Sequence, residues 1–463
     1  MAPALHYLSA EELSAAYRTR DLSPREVTRA VLGRIEAWEP KINAIYILDA
    51  EGALEQAAAS ERRWLKNSPL SPLDGVPITI KDNIATKGVP MPVGTAAGDL
   101  TPMPADAPPT ARVREAGCVL LGKTTMPDYG MLASGVSSLH GITRNPWDLR
   151  RNTAGSSAGA GAGIAAGYGP LALGTDIGGS VRLPAAYNGI FALKPSLGRV
   201  PIHPPYLGRV NGPMTRTVRD AALLMRELTR PDARDYMSLP YQEQDWTGSR
   251  AGAVKGKRLG LLLDIGAGLK VQPAVIAAVR AAAKLFEDAG AIVELLPPFL
   301  TDDTYSALDR FFQARSLAEL KLLDEERRSK VLAFILAWCR RAEGLTAVDV
   351  IRALAQIMLI REKAVAATQG YDFLLSPTSP ITAYGAEEPA PGSDPARAIA
   401  HWAYTAPFNM SEQPAASICA GYDAEGLPIG LQIVGHRFDD LGVLGLASAY
   451  EAMRPPLRAW PTP

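Results

Sequence analysis

Three short stretches of this 463-residue chain concentrate side chains that could do chemistry. The first is Ile80-Lys81-Asp82-Asn83. A lysine directly after the apolar run Ile78-Thr79-Ile80 stands at the end of a buried strand. There it loses hydration, the ammonium form is disfavoured, and the free amine becomes available as a base. The ordinary alternative is a lysine whose stem lies on apolar surface while its tip reaches water. The second stretch runs from Thr153 to Gly163, Thr-Ala-Gly-Ser-Ser-Ala-Gly-Ala-Gly-Ala-Gly. Gly159-x-Gly161-x-Gly163 has part of a dinucleotide-loop pattern, but Arg150-Arg151-Asn152 before it does not read as a strand and the last x-x-Gly is missing. Gly155-Ser156-Ser157-Ala158-Gly159 fits a nucleophile elbow at Ser157, which would need a histidine from among His6, His140, His203, His401 and His436. A tightly packed helix of small residues is the third reading of the same stretch. The third stretch is Leu173-Gly-Thr-Asp-Ile-Gly-Gly-Ser-Val-Arg-Leu-Pro184. Ile177-Gly178-Gly179-Ser180 offers consecutive amides free of bulky side chains, and such a turn can converge them on one oxygen. Ser180 would then stand as a nucleophile beside its own oxyanion donors. Asp176 and Arg182 bracket the loop and suit a bidentate ion pair. A purely structural turn remains the alternative.

The elements around these stretches alternate between helix and strand. Residues 9–65 read as helices, with capping boxes at Ser9-Ala-Glu-Glu and Ser23-Pro-Arg-Glu and Pro24 at the first helical position. Residues 88–109 are proline-rich and read as a loop or lid. Val119–Leu121 reads as a strand, and residues 231–257 as a polar surface connection. Leu259–Leu263, a helix over 273–289 and Ile292–Leu296 make a β-α-β unit with parallel strands. Residues 305–368 are mostly helical. Phe373–Leu375 and Leu431–Val434 fit buried strands, and Leu441–Met453 is a closing helix. This places the chain in the α/β class. No clean linker divides it, so residues 1–463 are expected to form one domain.

Composition narrows the partners. Lys+Arg 48 against Asp+Glu 48 leaves no net charge, and no basic stripe marks a nucleic-acid binder. Gly 41 and Pro 38 together stay well below the ~25–30% share of low-complexity chains. Cys118, Cys339 and Cys419 stand far apart, fit no disulfide framework and have no zinc spacing, so they read as buried thiols in a reducing compartment. The longest apolar run, Val331–Cys339, is too short to span a membrane, which takes about 18 residues. The N-terminus has neither a basic n-region nor an apolar h-region, so the expected location is the cytoplasm.

Read together, the three stretches resemble the amidase signature family of serine hydrolases. The likeness continues through Lys123-Thr-Thr-Met-Pro127, Asn145-Pro-Trp-Asp148, Gly189-Ile-Phe-Ala-Leu-Lys-Pro195, Asn211-Gly-Pro-Met214 and Gly426-Leu-Pro-Ile-Gly-Leu-Gln432, and so covers about residues 5–455. One departure is the family's Gly-Gly-Ser-Ser-Gly-Gly, which reads Ala154-Gly155-Ser156-Ser157-Ala158-Gly159 here. The resemblance implies a central twisted mixed β-sheet with helices on both faces. It divides the domain into N-terminal helices over about 5–65, a signature core over 70–220 and a helical substrate-side segment over 300–370. It also implies a Ser–cis-Ser–Lys triad, with Lys81 as base, Ser156 as the bridging serine after a cis peptide and Ser180 as nucleophile. The implied oxyanion amides are those of Ile177, Gly178, Gly179 and Ser180, with Ser157, Asp176 and Arg182 in support. Tyr129, Gly130 and Met131 fall in the substrate pocket, together with the 90–109 loop and the 305–345 helices, which carry Tyr305, Phe311, Phe312, Phe334 and Trp338.

The physical reading agrees with this assignment. A serine hydroxyl needs a base, and with no histidine in any of the three stretches a neutral lysine is the remaining strong one. The implied activity is hydrolysis of a small-molecule amide, aryl or alkyl, with carbamate (urethane) and ester cleavage open to the same acyl-enzyme. It needs no metal and no organic cofactor. The family is often homodimeric, and no nucleic-acid or membrane partner is expected. Three other readings stay open. They are the catalytic subunit of a tRNA-dependent amidotransferase, a histidine-dependent α/β-hydrolase using Ser157, and an inactive binding protein on the same fold.

Overall fold

The computed structural model describes residues 4–248 and 254–463. Met1–Pro3 and 249–253, the latter inside the expected 231–257 connection, lie outside the described residues. An 11-stranded sheet runs through the molecule. In chain order its strands are β1 (Ile45–Leu48), β2 (Pro77–Lys81), β3 (Val119–Thr124), β4 (Leu171–Asp176), β5 (Phe191–Lys194) and β6 (Val210–Thr215). They continue with β7 (Arg258–Leu261), β8 (Ile292–Leu295), β9 (Phe373–Pro377), β10 (Ala415–Tyr422) and β11 (Pro428–Val434). The spatial order is β1-β3-β2-β4-β6-β5-β10-β11-β9-β7-β8. β2 runs parallel to both β3 and β4, and β7 runs parallel to both β8 and β9. The pairs between these two parallel groups are antiparallel, as is β1 with β3, so the sheet is mixed.

Period-two alternation assigns the strand side chains to two faces. Leu171 and Leu173 of β4, Phe191 and Leu193 of β5, and Leu431 and Ile433 of β11 enter the largest core. The residues between them point the other way. Ala172 and Ala192 join a small cluster with Ala160, Ile164 and Met214. Leu374, Ala415 and Val434 join a third cluster with Phe312, Trp338 and Ile360 from the helices of residues 302–368. Coverage of both faces is why the central strands read as continuous apolar runs in the sequence. The second face is narrow where alanine and glycine line it. The helix Ala158–Ala166, every residue of which is buried, packs directly there. An added Cβ on its Gly159 would stand 2.0 Å from the Ala44 carbonyl oxygen.

The helices at 10–19 and 24–42 begin at Ser9 and Ser23, each with both halves of its capping box formed, and Pro24 opens the second. Several local readings need correction. Strand β1 interrupts the expected 9–65 helical region. The proline-rich segment ends earlier than expected, because Pro108–Glu115 is a helix opened by its two prolines. Asp148–Asn152, not expected as a strand, pairs with Arg144–Asn145 in a separate two-stranded ladder. β4, β5, β6 and β10 were not foreseen either. The Val331–Cys339 run lies mostly in a helix, Ala333–Arg340, with Ile335, Trp338 and Cys339 buried. Among the described residues no helix is long and apolar enough to cross a membrane.

Close packing at Gly159 makes a direct prediction. Gly159→Val should lower the unfolding free energy by about 1–3 kcal/mol or more through overpacking. Gly33→Ala sits on an exposed helix face with nothing within 4 Å of the new methyl, and should raise it by roughly 0.5–1 kcal/mol. Denaturant midpoints at constant m-value check both.

Candidate active site

The parallel strands β3, β2 and β4 end side by side at Thr124, Lys81 and Asp176. Ligand sites on such sheets collect at these carboxyl ends. Two loops close over them. The loop before the helix Ala158–Ala166 carries Ser156, and the Gly155–Ser156 peptide is cis. The loop after β4 carries Ser180 and leads into the helix Arg182–Asn188. The loops are joined by the Ser157 amide, which donates to the Ser180 carbonyl at 3.1 Å. The Gly159 amide ties the first loop to the end of β3 through the Thr125 carbonyl at 3.2 Å.

Lys81 is fully buried, and its Nζ lies 2.7 Å from Ser156 Oγ and 2.9 Å from Thr175 Oγ1. Asn83 Nδ2 donates to the same Thr175 hydroxyl at 3.1 Å. Burial pushes the Lys81 amine down to about 7, against the opposing pull of the Asp176 and Asp82 carboxylates; the Arg209 charge adds to the lowering. Burial also pushes Lys123 and Lys194 down to about 7, so a lowered pKa alone does not mark a base. Hydrogen bonding separates the three. Lys123 Nζ ends on the Ile84 carbonyl and Thr86, and Lys194 Nζ on the Pro195 carbonyl. Lys81 is the one whose tip meets a serine.

Asp176 and Arg182, both fully buried, form the expected bidentate pair, Nε–Oδ2 3.0 Å and Nη2–Oδ1 3.0 Å. Burial alone would raise the Asp176 carboxyl, but the Arg182 guanidinium outweighs it and holds the group below the usual carboxylate range. The same carboxylate accepts the amides of Gly179 at 2.7 Å and Val181 at 3.2 Å, together with Asn409 Nδ2 at 2.9 Å. Arg182 also donates to Gln432 Oε1, the Thr405 carbonyl and Asn409 Oδ1. Gly179 takes φ +127°, a conformation side chains avoid, and a Cβ there would meet Thr405 Oγ1 at 2.4 Å. This arrangement revises the oxyanion set. The Gly179 amide is already engaged by Asp176, whereas among the described residues the amides of Ile177, Gly178 and Ser180 have no hydrogen-bond partner.

Ser156 and Ser180 open onto one cleft whose walls include Tyr129, Gly130 and Met131, together with Phe312, Trp338 and Trp402. Ser157 turns away from it, its Oγ donating to the Thr175 carbonyl at 3.3 Å. None of the five histidines hydrogen-bonds to Ser156, Ser157 or Ser180 in the described residues. His140 meets Asp82, His401 meets Trp402 and His436 meets the Tyr371 carbonyl. Among the described residues no group of three or more His, Cys, Asp or Glu is placed to hold a metal. Of the aromatic candidates, Phe312 and Trp338 face the cleft, whereas the Tyr305 hydroxyl is spent on the Ile399 carbonyl. Thr175, Arg209, Arg315 and Trp402 also line it and were not foreseen. Thr175 lies inside the Leu173–Pro184 stretch, next to Asp176, but only the strand that the structure reveals there places it at the site. The other three carry no local signal.

Comparison with known proteins places this geometry. The Amidase family model matches residues 26–444, and the chain belongs to that family. It is 36% identical over 461 residues to the acylamidase of Rhodococcus erythropolis, covering 97% of this chain and 96% of the relative. It is also 36% identical over 473 residues to the glutamyl-tRNA(Gln) amidotransferase A subunit of Myxococcus xanthus, covering 95% and 96%. Among solved structures, a bacterial aryl acylamidase of the amidase signature enzymes superposes with a TM-score of 0.90 at 30% identity over 97% of each chain. The protein is thus an amidase, a hydrolase of non-peptide carbon–nitrogen bonds, on the large mixed sheet flanked by helices that its relatives share.

The clamp can be tested by removing one partner. Arg182→Met leaves the Asp176 charge buried without its counter-ion and should cost about 3–5 kcal/mol of stability. The deficit should be full at neutral pH and shrink in acid, because the carboxyl, no longer held low, takes up a proton and sheds the uncompensated charge. Chemical denaturation of both proteins at neutral and acidic pH reads this.

Proposed function

We propose that the chain hydrolyses aryl or alkyl amides of small molecules, and carbamates (urethanes) and esters by the same route, through an acyl-enzyme on Ser180. Ser180 Oγ attacks the substrate carbonyl while its proton passes to Ser156 Oγ and the Ser156 proton to the neutral Lys81 amine. A hydroxyl can carry this relay because it donates and accepts at once. The tetrahedral oxyanion is received by the free amides of Ile177, Gly178 and Ser180. The C–N bond then breaks as the proton returns through Ser156 to the leaving nitrogen. Water attacks the acyl-enzyme with the relay run a second time, and the carboxylic acid departs. From a carbamate the acyl group leaves as the corresponding carbonic or carbamic acid.

The observation that carries this reading is the uncharged-prone Lys81 amine 2.7 Å from Ser156 Oγ, beside a cleft that Ser180 shares. The relatives named as acylamidase and aryl acylamidase support an acyl-amide substrate, and the aromatic wall of Phe312, Trp338 and Trp402 supports an apolar or aromatic group. The free, buried cysteines support a reducing compartment such as the cytoplasm. A second reading, the catalytic subunit of a tRNA-dependent amidotransferase, is favoured by the equally close Myxococcus xanthus relative. Amide hydrolysis by the purified chain without partner proteins decides for the first reading.

Three measurements test the mechanism. A phosphonylating serine probe should label Ser180 in the wild type and fail to label Ser180→Ala, which should retain the fold and lose turnover of 4-nitroanilide, ester and carbamate substrates alike. Lys81→Ala should lower kcat/KM by roughly 10²–10⁴-fold, the span of a general base. The working form of Lys81 is the neutral amine, so the wild-type rate should fall as pH drops through about 7. An acid limb that persists unchanged in Lys81→Ala, or labelling at another serine, would remove these roles.

A further inference from the structure

A second cavity of about 220 Å³ adjoins the cleft of Ser156 and Ser180, sharing Asn83, Tyr129, Thr175, Arg209 and Arg315 as walls. Arg209 is the unusual wall. It is half-buried, and its Nη2 donates to the Pro204 carbonyl. Among the described residues no carboxylate lies within 4.0 Å of its guanidinium nitrogens. Asp235, whose charge reaches it, is occupied by the amides of Ile202 and Met237. Arg315 stacks 4.4 Å from the centre of the Tyr206 ring, on which Arg209 also lies at 5.7 Å, but Arg315 is paired with Glu319 at 3.0 Å. Two guanidiniums and one carboxylate therefore line this space. Arg209 is thus the guanidinium of this space without an ion pair among the described residues, with the Glu319 and Asp235 carboxylates acting on it only from a distance. A partly desolvated cation without a counter-ion in direct contact is unfavourable, and an anion in the cavity would relieve it. Next to the arginines the walls are apolar, with Met91, Val93 and Ile202.

We propose that this cavity is an anion subsite in which Arg209, flanked by Arg315, receives a carboxylate that the substrate carries on an aliphatic or aryl arm away from its scissile carbonyl. The proposal rests on the amidase reading of the adjoining cleft. A guanidinium matches a carboxylate with two parallel N–H···O bonds. One guanidinium without an ion pair, with carboxylates nearby, fits a singly charged carboxylate better than a phosphate, and the apolar walls fit the arm that bears it.

The test compares two pairs of anilides. Glutaryl-4-nitroanilide against butyryl-4-nitroanilide puts the carboxylate on the acyl side. N-Acetyl-4-aminobenzoate against N-acetyl-4-aminobenzamide puts it on the leaving side. In at least one pair the wild type should favour the carboxylate by kcat/KM. Arg209→Gln should reduce that preference by roughly 10- to 100-fold, mainly through KM, with Arg209→Lys recovering part of it. The pair that responds locates the arm. A preference unchanged in Arg209→Gln for both pairs, or a wild type that favours the neutral member of both, overturns the subsite while the amidase reading stands. No turnover of any of the four fells the amidase reading and the subsite with it. Wild-type inhibition covers the case in which the variants do not fold. Glutarate should compete with butyryl-4-nitroanilide at concentrations at least roughly ten-fold lower than glutaramide; equal inhibition overturns the proposal.

Discussion

An amine kept dry next to a hydroxyl is the constraint on which the rest of this structure depends. Lys81 ends a strand whose two faces are both covered, so no water reaches its tip and the charged form loses its hydration. Two carboxylates, Asp176 and Asp82, act on it from a distance and favour the charged form, but neither is hydrogen-bonded to it. A carboxylate in direct contact would fix the ammonium and remove the base that the proposed mechanism needs. Asp82 is instead occupied by the Gly94 amide and His140, and Asp176 by Arg182 and the Gly179 amide. These contacts leave the amine with two hydroxyls, while the buried Asp82 Oδ1 has no hydrogen-bond partner among the described residues.

Asp176 connects this to the second loop. Ion pairs buried this deeply contribute little net stability once desolvation is counted, so their value lies in where they hold the chain. Here the carboxylate gathers the amides of Gly179 and Val181 toward itself, which orients the Gly178–Gly179 and Ser180–Val181 peptides. Thr405 Oγ1 fixes the Gly178 carbonyl at 2.6 Å from the other side. With one amide of the turn committed inward, the proposed mechanism has those of Ile177, Gly178 and Ser180 receive the ligand oxygen. A set of donors already oriented by bonds to a rigid core does not have to reorganise when charge develops on that oxygen.

The parts of the site that could be read from the sequence are those whose signal is local. Gly-Gly-Ser and Gly-Ser-Ser turns, an Asp six residues before an Arg, and a lysine after an apolar run each declare themselves within a few residues. The capping serines at 9 and 23 do so for the same reason. What escaped is set by packing across the chain. Arg209, Arg315, Trp402 and Asn409 reach the site from segments far apart in sequence, and nothing near them distinguishes cleft from core. Phe312 and Trp338 face the cleft while Tyr305 does not, although all three belong to the same apolar cluster. Helical periodicity reports only that a side chain points inward. Among the strands, β4 and β10 were hidden by small residues. Leu-Ala-Leu-Gly-Thr-Asp and Ala-Ala-Ser-Ile-Cys-Ala-Gly-Tyr lack the β-branched run that usually marks a strand.

Those small residues have a common cause. The helix Ala158–Ala166 lies against the alanine-lined face of the sheet and delivers Ser156 and Ser157 from its N-terminal end. For Ser156 Oγ to come within 2.7 Å of an amine at the tip of β2, the helix axis must approach the strands more closely than larger side chains allow. Glycine at 159, within 2.0 Å of the Ala44 carbonyl once a Cβ is imagined, marks the limit of that approach. The departure from the family pattern, alanine at 154 and 158, falls at positions that are fully buried, and the intervening Gly155 also leaves no room for a Cβ, which would stand 2.4 Å from the Ser134 carbonyl oxygen. Tight packing on this face and hydrogen-bond distance between Ser156 and the lysine are therefore one geometric requirement, and the composition of residues 153–166 is its imprint.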